Sequence, residues 1–110
     1  SAIYEYLSSA WPDSTLGLMS SLQDEVIRTF YGFGANDCAA GMPSYTGARY
    51  EEGLRALVAR LAATPNWASF LWSGQDHGAL LYDLALESDG AVLSDWVLQV
   101  LSGQPRHVCP

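Results

Sequence analysis

Apolar residues recur along this chain with two different spacings, one typical of helices and one typical of strands. Two short apolar runs are of strand length, Thr15 to Ser20 and Trp67 to Trp72. The second is continuous, as expected for a strand that is covered on both faces of a sheet. The helical spacing predicts four helices, over residues 2–10, 23–33, 50–63 and 91–101.

Three of these helices have a clear apolar face. In each, the apolar residues recur with a period close to 3.6, which predicts that they face the core. The predicted buried positions are Val26, Ile27, Phe30 and Tyr31 in the second helix, Tyr50, Leu54, Leu57, Val58 and Leu61 in the third, and Leu93, Trp96, Val97, Val100 and Leu101 in the fourth. Gly103 is a suitable residue to end the fourth helix.

The order of these elements predicts an α/β fold with a mostly parallel sheet, because strands alternate with helices. Residues 35–48, residues 74–90 and the tail to Pro110 are expected to be irregular, with one helical turn near residues 80–84. Both strands are expected to be buried on both faces, yet two strands make a marginal sheet. We therefore expect further strands from another polypeptide or from another part of a longer precursor.

Composition narrows the class of protein. The chain has 110 residues, 49% of them hydrophobic and 15% charged, which indicates one globular segment over residues 1–110. Its formal net charge is −7, and it contains arginine but no lysine. That charge argues against nucleic acid or an anionic membrane as partner. No apolar run approaches the roughly 20 residues that a membrane-spanning helix needs.

Two cysteines, Cys38 and Cys109, lie far apart in the sequence. A disulfide suits a secreted or periplasmic protein, and each cysteine has either the other or a second polypeptide as a possible partner. The chain does not begin with a basic stretch followed by an apolar one. We therefore expect any signal peptide to have been removed or to lie upstream.

Two loops carry the candidate chemistry. Asp24 follows the first predicted strand, and His77 follows the second, between Gly74 and Gly78. In open parallel sheets, catalytic groups collect beyond the carboxyl ends of the strands. An acid followed by a histidine is also the chain order of the last two members of an α/β-hydrolase triad.

Each of these residues has a simpler interpretation. Ser21 and Asp24 match a helix capping box, with Ser21 as the N-cap and Asp24 near the third helical position. His77 on its own is compatible with an ordinary surface histidine. Asp76 is an alternative acid, although adjacent side chains tend to point apart.

The nucleophile is not evident. No Gly-x-Ser-x-Gly motif occurs, and Ser73 lacks glycines at the required offsets. Cys38 paired with His77, or a terminal Ser1, would be an alternative nucleophile, but nothing around Cys38 indicates a lowered thiol pKa. The histidines and carboxylates lack the spacing of metal ligands, so neither a metal nor another cofactor is expected.

The segments Ser20–Tyr31 and Phe70–His77 resemble the C-terminal part of the pectin acetylesterase and Notum carboxylesterase family. The segment Gly90–Val97 resembles the helix that closes those chains. In that family an aspartate opens a helix after the penultimate strand of an α/β-hydrolase sheet, and a histidine follows the last strand. The resemblance implies that Asp24 is the triad acid and His77 the base. The family's serine and oxyanion-hole residues lie upstream and have no counterpart here.

The resemblance therefore implies that this chain is the C-terminal part of a secreted or periplasmic serine esterase of α/β-hydrolase fold. Its expected partner is an N-terminal polypeptide carrying the nucleophilic serine, produced by chain cleavage, and its expected substrate is an ester. Alone, the chain is expected to be inactive. The main alternative is a non-enzymatic α/β binding or structural subunit in which Asp24 only caps a helix.

Overall fold

Helices and strands alternate along most of the chain. The structure is a computed structural model that describes residues 2–35, 45–79 and 83–110. The elements are α1 (Ala2–Ala10), β1 (Leu16–Ser21), α2 (Glu25–Ala35), α3 (Gly47–Leu61), β2 (Trp67–Trp72), β3 (Glu87–Ser88), β4 (Ala91–Val92), α4 (Leu93–Leu101) and β5 (His107–Val108).

The main sheet has three strands in the order β1-β2-β5, and both pairings are parallel. The predicted parallel α/β arrangement is therefore confirmed. The number of strands was underestimated, since β5 lies in the tail that was expected to be irregular. Its two residues pair with Ser69 and Phe70 of β2. A strand of two residues is too short to show an alternating pattern in the sequence.

The central strand β2 separates two layers of apolar side chains. Every residue of β2 is buried, as its apolar run predicted. Phe70 and Trp72 pack with Leu93 and Trp96 of α4 on one face. Leu71 packs on the other face, against the buried stripe of α3, which consists of Tyr50, Leu54 and Val58. The sheet is thus covered by helices on both faces at β2, as parallel sheets require.

The edge strand β1 departs from its prediction. Only its last two residues are buried, whereas Gly17 is exposed and Leu18 and Met19 are partly exposed. The reason is topological, because no strand of the described residues pairs with the second edge of β1. On the α4 side Trp96 lies so close that a Cβ on Gly17 would come 3.1 Å from its ring.

The predicted core face of α2 is also wrong for most of its residues. Phe30 is 67% exposed and Tyr31 54% exposed, and only Ile27 is partly buried among the four predicted positions. Helical periodicity shows which residues share a face, but it does not show what covers that face. Beside the outer edge of β1, the described residues offer the face of α2 little to pack against.

The helix α1 has its predicted bounds, whereas α3 and α4 differ slightly from their predictions. Thr46 caps α3 by accepting a hydrogen bond from Arg49 N at 3.3 Å, so α3 begins before residue 50. In α4, Leu101 is 77% exposed rather than buried, whereas Gly103 has the predicted positive φ of 71°.

A small hairpin begins within the last residues of the segment 74–90, which was predicted to be irregular. The strands β3 and β4 pair antiparallel around Asp89 and Gly90, both of which have positive φ. Tight hairpin turns of this kind favour an Asp-Gly pair. The predicted turn near residues 80–84 and the Cys38 loop fall largely outside the described residues.

The described residues contain no disulfide, and the Sγ atom of Cys109 lies 2.9 Å from Nη1 of Arg55. Since Cys38 lies outside them, its proposed pairing remains a prediction. None of the described helices is long and apolar enough to cross a membrane.

A pH effect on stability follows from β5. Burial lowers the pKa of His107 below its ordinary value of 6.5, and its Nδ1 lies 2.9 Å from the Oγ of Ser69. Around pH 6.5 the unfolded chain therefore binds more protons than the folded one, and unfolding is favoured as the pH falls through that range. We expect the midpoint of urea unfolding to fall between pH 7.5 and pH 5.5, and to fall less in His107→Asn. An equal fall in both proteins would contradict this prediction.

Candidate active site

Asp24 and His77 meet at the carboxyl end of the sheet. The Nδ1 atom of His77 lies 2.8 Å from Oδ2 of Asp24. The Asp24 side chain is 4% exposed, whereas the His77 side chain is 48% exposed. A buried carboxylate thus holds one nitrogen of a ring whose other parts reach solvent.

The two carboxylate oxygens of Asp24 have separate roles. Oδ1 accepts hydrogen bonds from the backbone N–H groups of Val26 at 3.0 Å and Ile27 at 2.8 Å. These contacts make Asp24 the N-cap of α2, which begins at the next residue. Oδ2 is left for the His77 ring. Capping and the contact with histidine are therefore compatible in one side chain.

The predicted capping box is wrong in its register. Ser21 was expected to be the N-cap, but it is the last residue of β1. Its Oγ instead donates a hydrogen bond of 2.6 Å to the backbone carbonyl of Asp76. The hydroxyl of Ser21 thus supports the histidine loop rather than the helix.

The carboxylate also selects the tautomer of His77. An ionised carboxylate only accepts hydrogen bonds, so the proton of a neutral ring lies on Nδ1. Nε2 then carries a lone pair, and it makes no hydrogen bond with any described residue. This is the arrangement that a histidine needs to take a proton from a hydroxyl or a water molecule.

Backbone hydrogen bonds fasten the histidine loop to the turn between β1 and α2. Gln23 N donates to the carbonyl of Gly74 at 3.0 Å, and Glu25 N donates to the carbonyl of Gln75 at 3.1 Å. The Gln75 side chain accepts a further bond from Nη2 of Arg28 at 3.0 Å. The relative position of Asp24 and His77 is therefore fixed by the backbone as well as by their own contact.

The two glycines that flank His77 have positive φ values. Gly74 and Gly78 have φ values of 135° and 80°, which side-chain-bearing residues rarely adopt. They allow the chain to turn sharply on both sides of the histidine. A short loop is therefore enough to place His77 at the carboxyl end of the sheet.

An open groove leads away from this pair along β1. Its volume is about 580 Å³. The walls are mainly apolar and come from α1, α2, α3, β1 and the end of β2. They include Tyr4, Leu18, Met19, Ile27, Tyr31, Leu57 and Trp72. Asp24 and His77 lie in the same lining, as do Tyr45 and Tyr50. The site is thus continuous with a large apolar surface that the described residues leave open.

Tyr50 was predicted only as a core residue, but its hydroxyl also has a polar contact at the site. Its hydroxyl lies 3.1 Å from Oγ of Ser20, whose own proton goes to the carbonyl of Ser21 at 2.9 Å. Burial is the main cause that raises the pKa of Tyr50 above its ordinary value. Its place in the apolar stripe of α3 gave no sign of this polar contact.

Among the alternative groups, the structure describes Asp76, and its side chain does not join the pair. Asp76 contributes its backbone carbonyl, and its carboxylate makes no hydrogen bond with His77. Cys38 and Ser1 lie outside the described residues. Within those residues, no group of three or more His, Cys, Asp or Glu side chains is arranged to hold a metal ion.

The capping contacts predict a difference between two substitutions at Asp24. Removing an N-cap side chain costs about 1 kcal/mol, and the loss of the Nδ1 partner adds to it. We expect Asp24→Ala to lower the free energy of unfolding by about 1–2 kcal/mol. Asp24→Asn retains the capping oxygen and should lose less. Urea unfolding measures both, and equal losses would contradict the capping role.

Comparisons of the chain with protein-family models, curated proteins and solved structures give no match. The resemblance to the pectin acetylesterase and Notum carboxylesterase family therefore stays a hypothesis, based on the residues quoted for it.

Proposed function

We propose that this chain supplies the acid and the base of a Ser-His-Asp triad for ester hydrolysis, and that the nucleophilic serine lies on a segment outside these 110 residues. The observation that best supports this proposal is the pair of environments around the two nitrogens of the His77 ring. Its Nδ1 is held by a buried carboxylate at 2.8 Å, and Nε2 has no described hydrogen-bond partner. An α/β-hydrolase fold completed by that segment is part of the same proposal.

The reaction follows from these positions. Nε2 of His77 takes the proton from the serine hydroxyl as its oxygen attacks the ester carbonyl carbon. The protonated ring then gives that proton to the leaving alcohol, which leaves an acyl-serine. Water attacks the acyl group, Nε2 takes a proton from it, and the acid is released as the proton returns to the serine.

Asp24 acts through His77. Its carboxylate keeps the Nδ1 proton in place and stabilises the imidazolium that forms in each step. The negatively charged oxygen that forms when the serine attacks the ester carbonyl would be bound by backbone N–H groups of the serine-bearing segment. This chain therefore contributes proton transfer, and the missing segment contributes the nucleophile and the oxyanion site.

The chief alternative is a binding subunit in which Asp24 serves only as a helix cap. The two backbone N–H contacts of Oδ1 favour it, since capping alone explains them. It does not require the contact of Oδ2 with His77. The two functions differ in what they predict for substitutions of these side chains.

The first kinetic prediction concerns His77. The assembled protein is this chain together with the segment that carries the serine. In it, His77→Ala should lower kcat for a chromogenic acetate ester by about 10³-fold or more, since proton transfer is lost both when the acyl-serine forms and when it is hydrolysed. The protein should remain folded, because the side chain is half exposed, although the loss of the contact with Asp24 lowers the melting temperature. An unchanged kcat would eliminate His77 as the base.

The second kinetic prediction compares two aspartates. Asp24→Asn should lower kcat by about 10⁴-fold, because an amide at this position favours the wrong tautomer of His77. Asp76→Asn makes the same change at the neighbouring exposed carboxylate, which has no contact with the ring. It should retain nearly full activity. Equal effects of the two substitutions would argue against a specific role of Asp24.

A further inference from the structure

We propose that residues 104–110, the tail segment, separate from the sheet as one unit when His107 is protonated, while the rest of the domain stays folded. The tail segment contains β5, which pairs with β2. This opening is distinct from global unfolding, in which every strand and helix is lost. It is also independent of the contact between Asp24 and His77.

Contacts with β2 and α4 hold the tail segment in place. The carbonyl of Arg106 accepts hydrogen bonds from Ser69 N at 3.2 Å and from Nε1 of Trp96 at 2.8 Å. Val108 is 1% exposed and packs among the apolar side chains between the sheet and α4. No described strand pairs with the other edge of β5. The tail segment can therefore leave the sheet without breaking the pairing of β1 with β2.

The buried hydroxyl of Ser69 makes this docking sensitive to protons. Ser69 is completely buried, and its Oγ lies 2.9 Å from Nδ1 of His107. The hydroxyl has no other acceptor among the described residues, so it donates to Nδ1, which carries a lone pair. A proton on Nδ1 would turn that nitrogen into a donor. The buried Ser69 proton would then lack an acceptor, which is unfavourable.

Burial of the imidazole acts in the same direction. It lowers the pKa of His107 below the ordinary value of 6.5. Once the tail segment leaves the sheet, the ring regains water and its ordinary affinity for a proton. The released state therefore binds the proton more tightly than the docked state. Docking is favoured most above pH 6.5 and weakens as the pH falls below that value.

The charged groups of the neighbouring elements are paired elsewhere or exposed. The strand β2 has no charged side chain. In α3, the guanidinium of Arg55 lies 2.9 Å from Sγ of Cys109 and is paired with Glu51. Asp95, the charged residue of α4, is exposed, as is Arg106 of the tail segment itself. None of these groups forms an ion pair with the imidazole, so its titration depends on burial and on the buried hydroxyl.

Release would change the surface of the protein. Val108 would move from the core into solvent, and Arg55 would lose its contacts with Sγ of Cys109 and the carbonyl of Pro110. The tail segment is thus a conformational device that responds to pH over a range in which carboxylates and arginines do not titrate.

Hydrogen exchange tests whether the tail segment opens by itself. Within β2 the N–H of Ser69 faces β5, whereas that of Phe70 faces β1, because strand residues alternate. At pH 5.5 we expect the protection factor of Ser69 to be at least about tenfold lower than that of Phe70 and to depend less on added urea, since a local opening exposes less surface. The indole N–H of Trp96 should exchange together with Ser69. Equal protection and equal urea dependence of Ser69 and Phe70 would overturn the proposal.

The pH dependence of the same amide tests the role of His107. Between pH 7.5 and pH 5.5 the protection factor of Ser69 should fall by about threefold or more. His107→Asn keeps an acceptor oxygen for the Ser69 hydroxyl but does not titrate, so this fall should disappear. His77→Asn is the matched control at the other histidine of the chain and should retain it. An equal fall in both variants would overturn the proposal.

A titration of the native protein decides the matter if His107→Asn does not fold. The ring protons of His107, followed by NMR between pH 5 and pH 8, should report a pKa below 6.5. A pKa at or above 6.5 would overturn the proposal, because protonation would then not favour release.

Discussion

The division of the Asp24 carboxylate between two partners determines the geometry of this site. One oxygen begins α2 by accepting two backbone N–H groups, and the other holds Nδ1 of His77 at 2.8 Å. The helix cap fixes the position of the carboxylate, so the histidine is oriented by a group that cannot move without disturbing α2. A side chain with one oxygen, such as serine, would offer only one of these contacts.

The outer edge of β1, with which no described strand pairs, also shapes the site. The two strands that lead to Asp24 and His77 are adjacent and parallel, which brings their terminal loops together. Because β1 is also the last described strand on its side of the sheet, the groove beside the pair is open. The same topology thus explains the contact between Asp24 and His77, the partial exposure of Leu18 and Met19, and the exposure of Tyr31. The open groove beside Asp24 and His77 and the partial exposure of β1 are two consequences of this arrangement of the described strands.

Long apolar patterns made parts of the fold predictable from the sequence. The continuous run of β2 and the stripe of α3 identified buried elements, since many residues agree in each. The two residues of β5 were too few to show a pattern. The face of α2 was misjudged because periodicity does not identify a covering partner.

The site was predictable in its chain order but not in its contacts. Parallel strands bring their carboxyl ends to one edge, so an acid after β1 and a histidine after β2 were expected to be neighbours. The capping register was not predictable, because Ser21 and Asp24 are both good caps. The choice was settled by the long-range bond from Ser21 to Asp76, which lies 55 positions away along the chain.

The most direct test of the central claim is intact mass spectrometry of the assembled protein after treatment with a fluorophosphonate. We expect one serine outside these 110 residues to gain the mass of the probe, this chain to remain unmodified, and labelling to be lost in His77→Ala. Labelling of a serine within this chain, or labelling that persists in His77→Ala, would contradict the division of the triad between two segments.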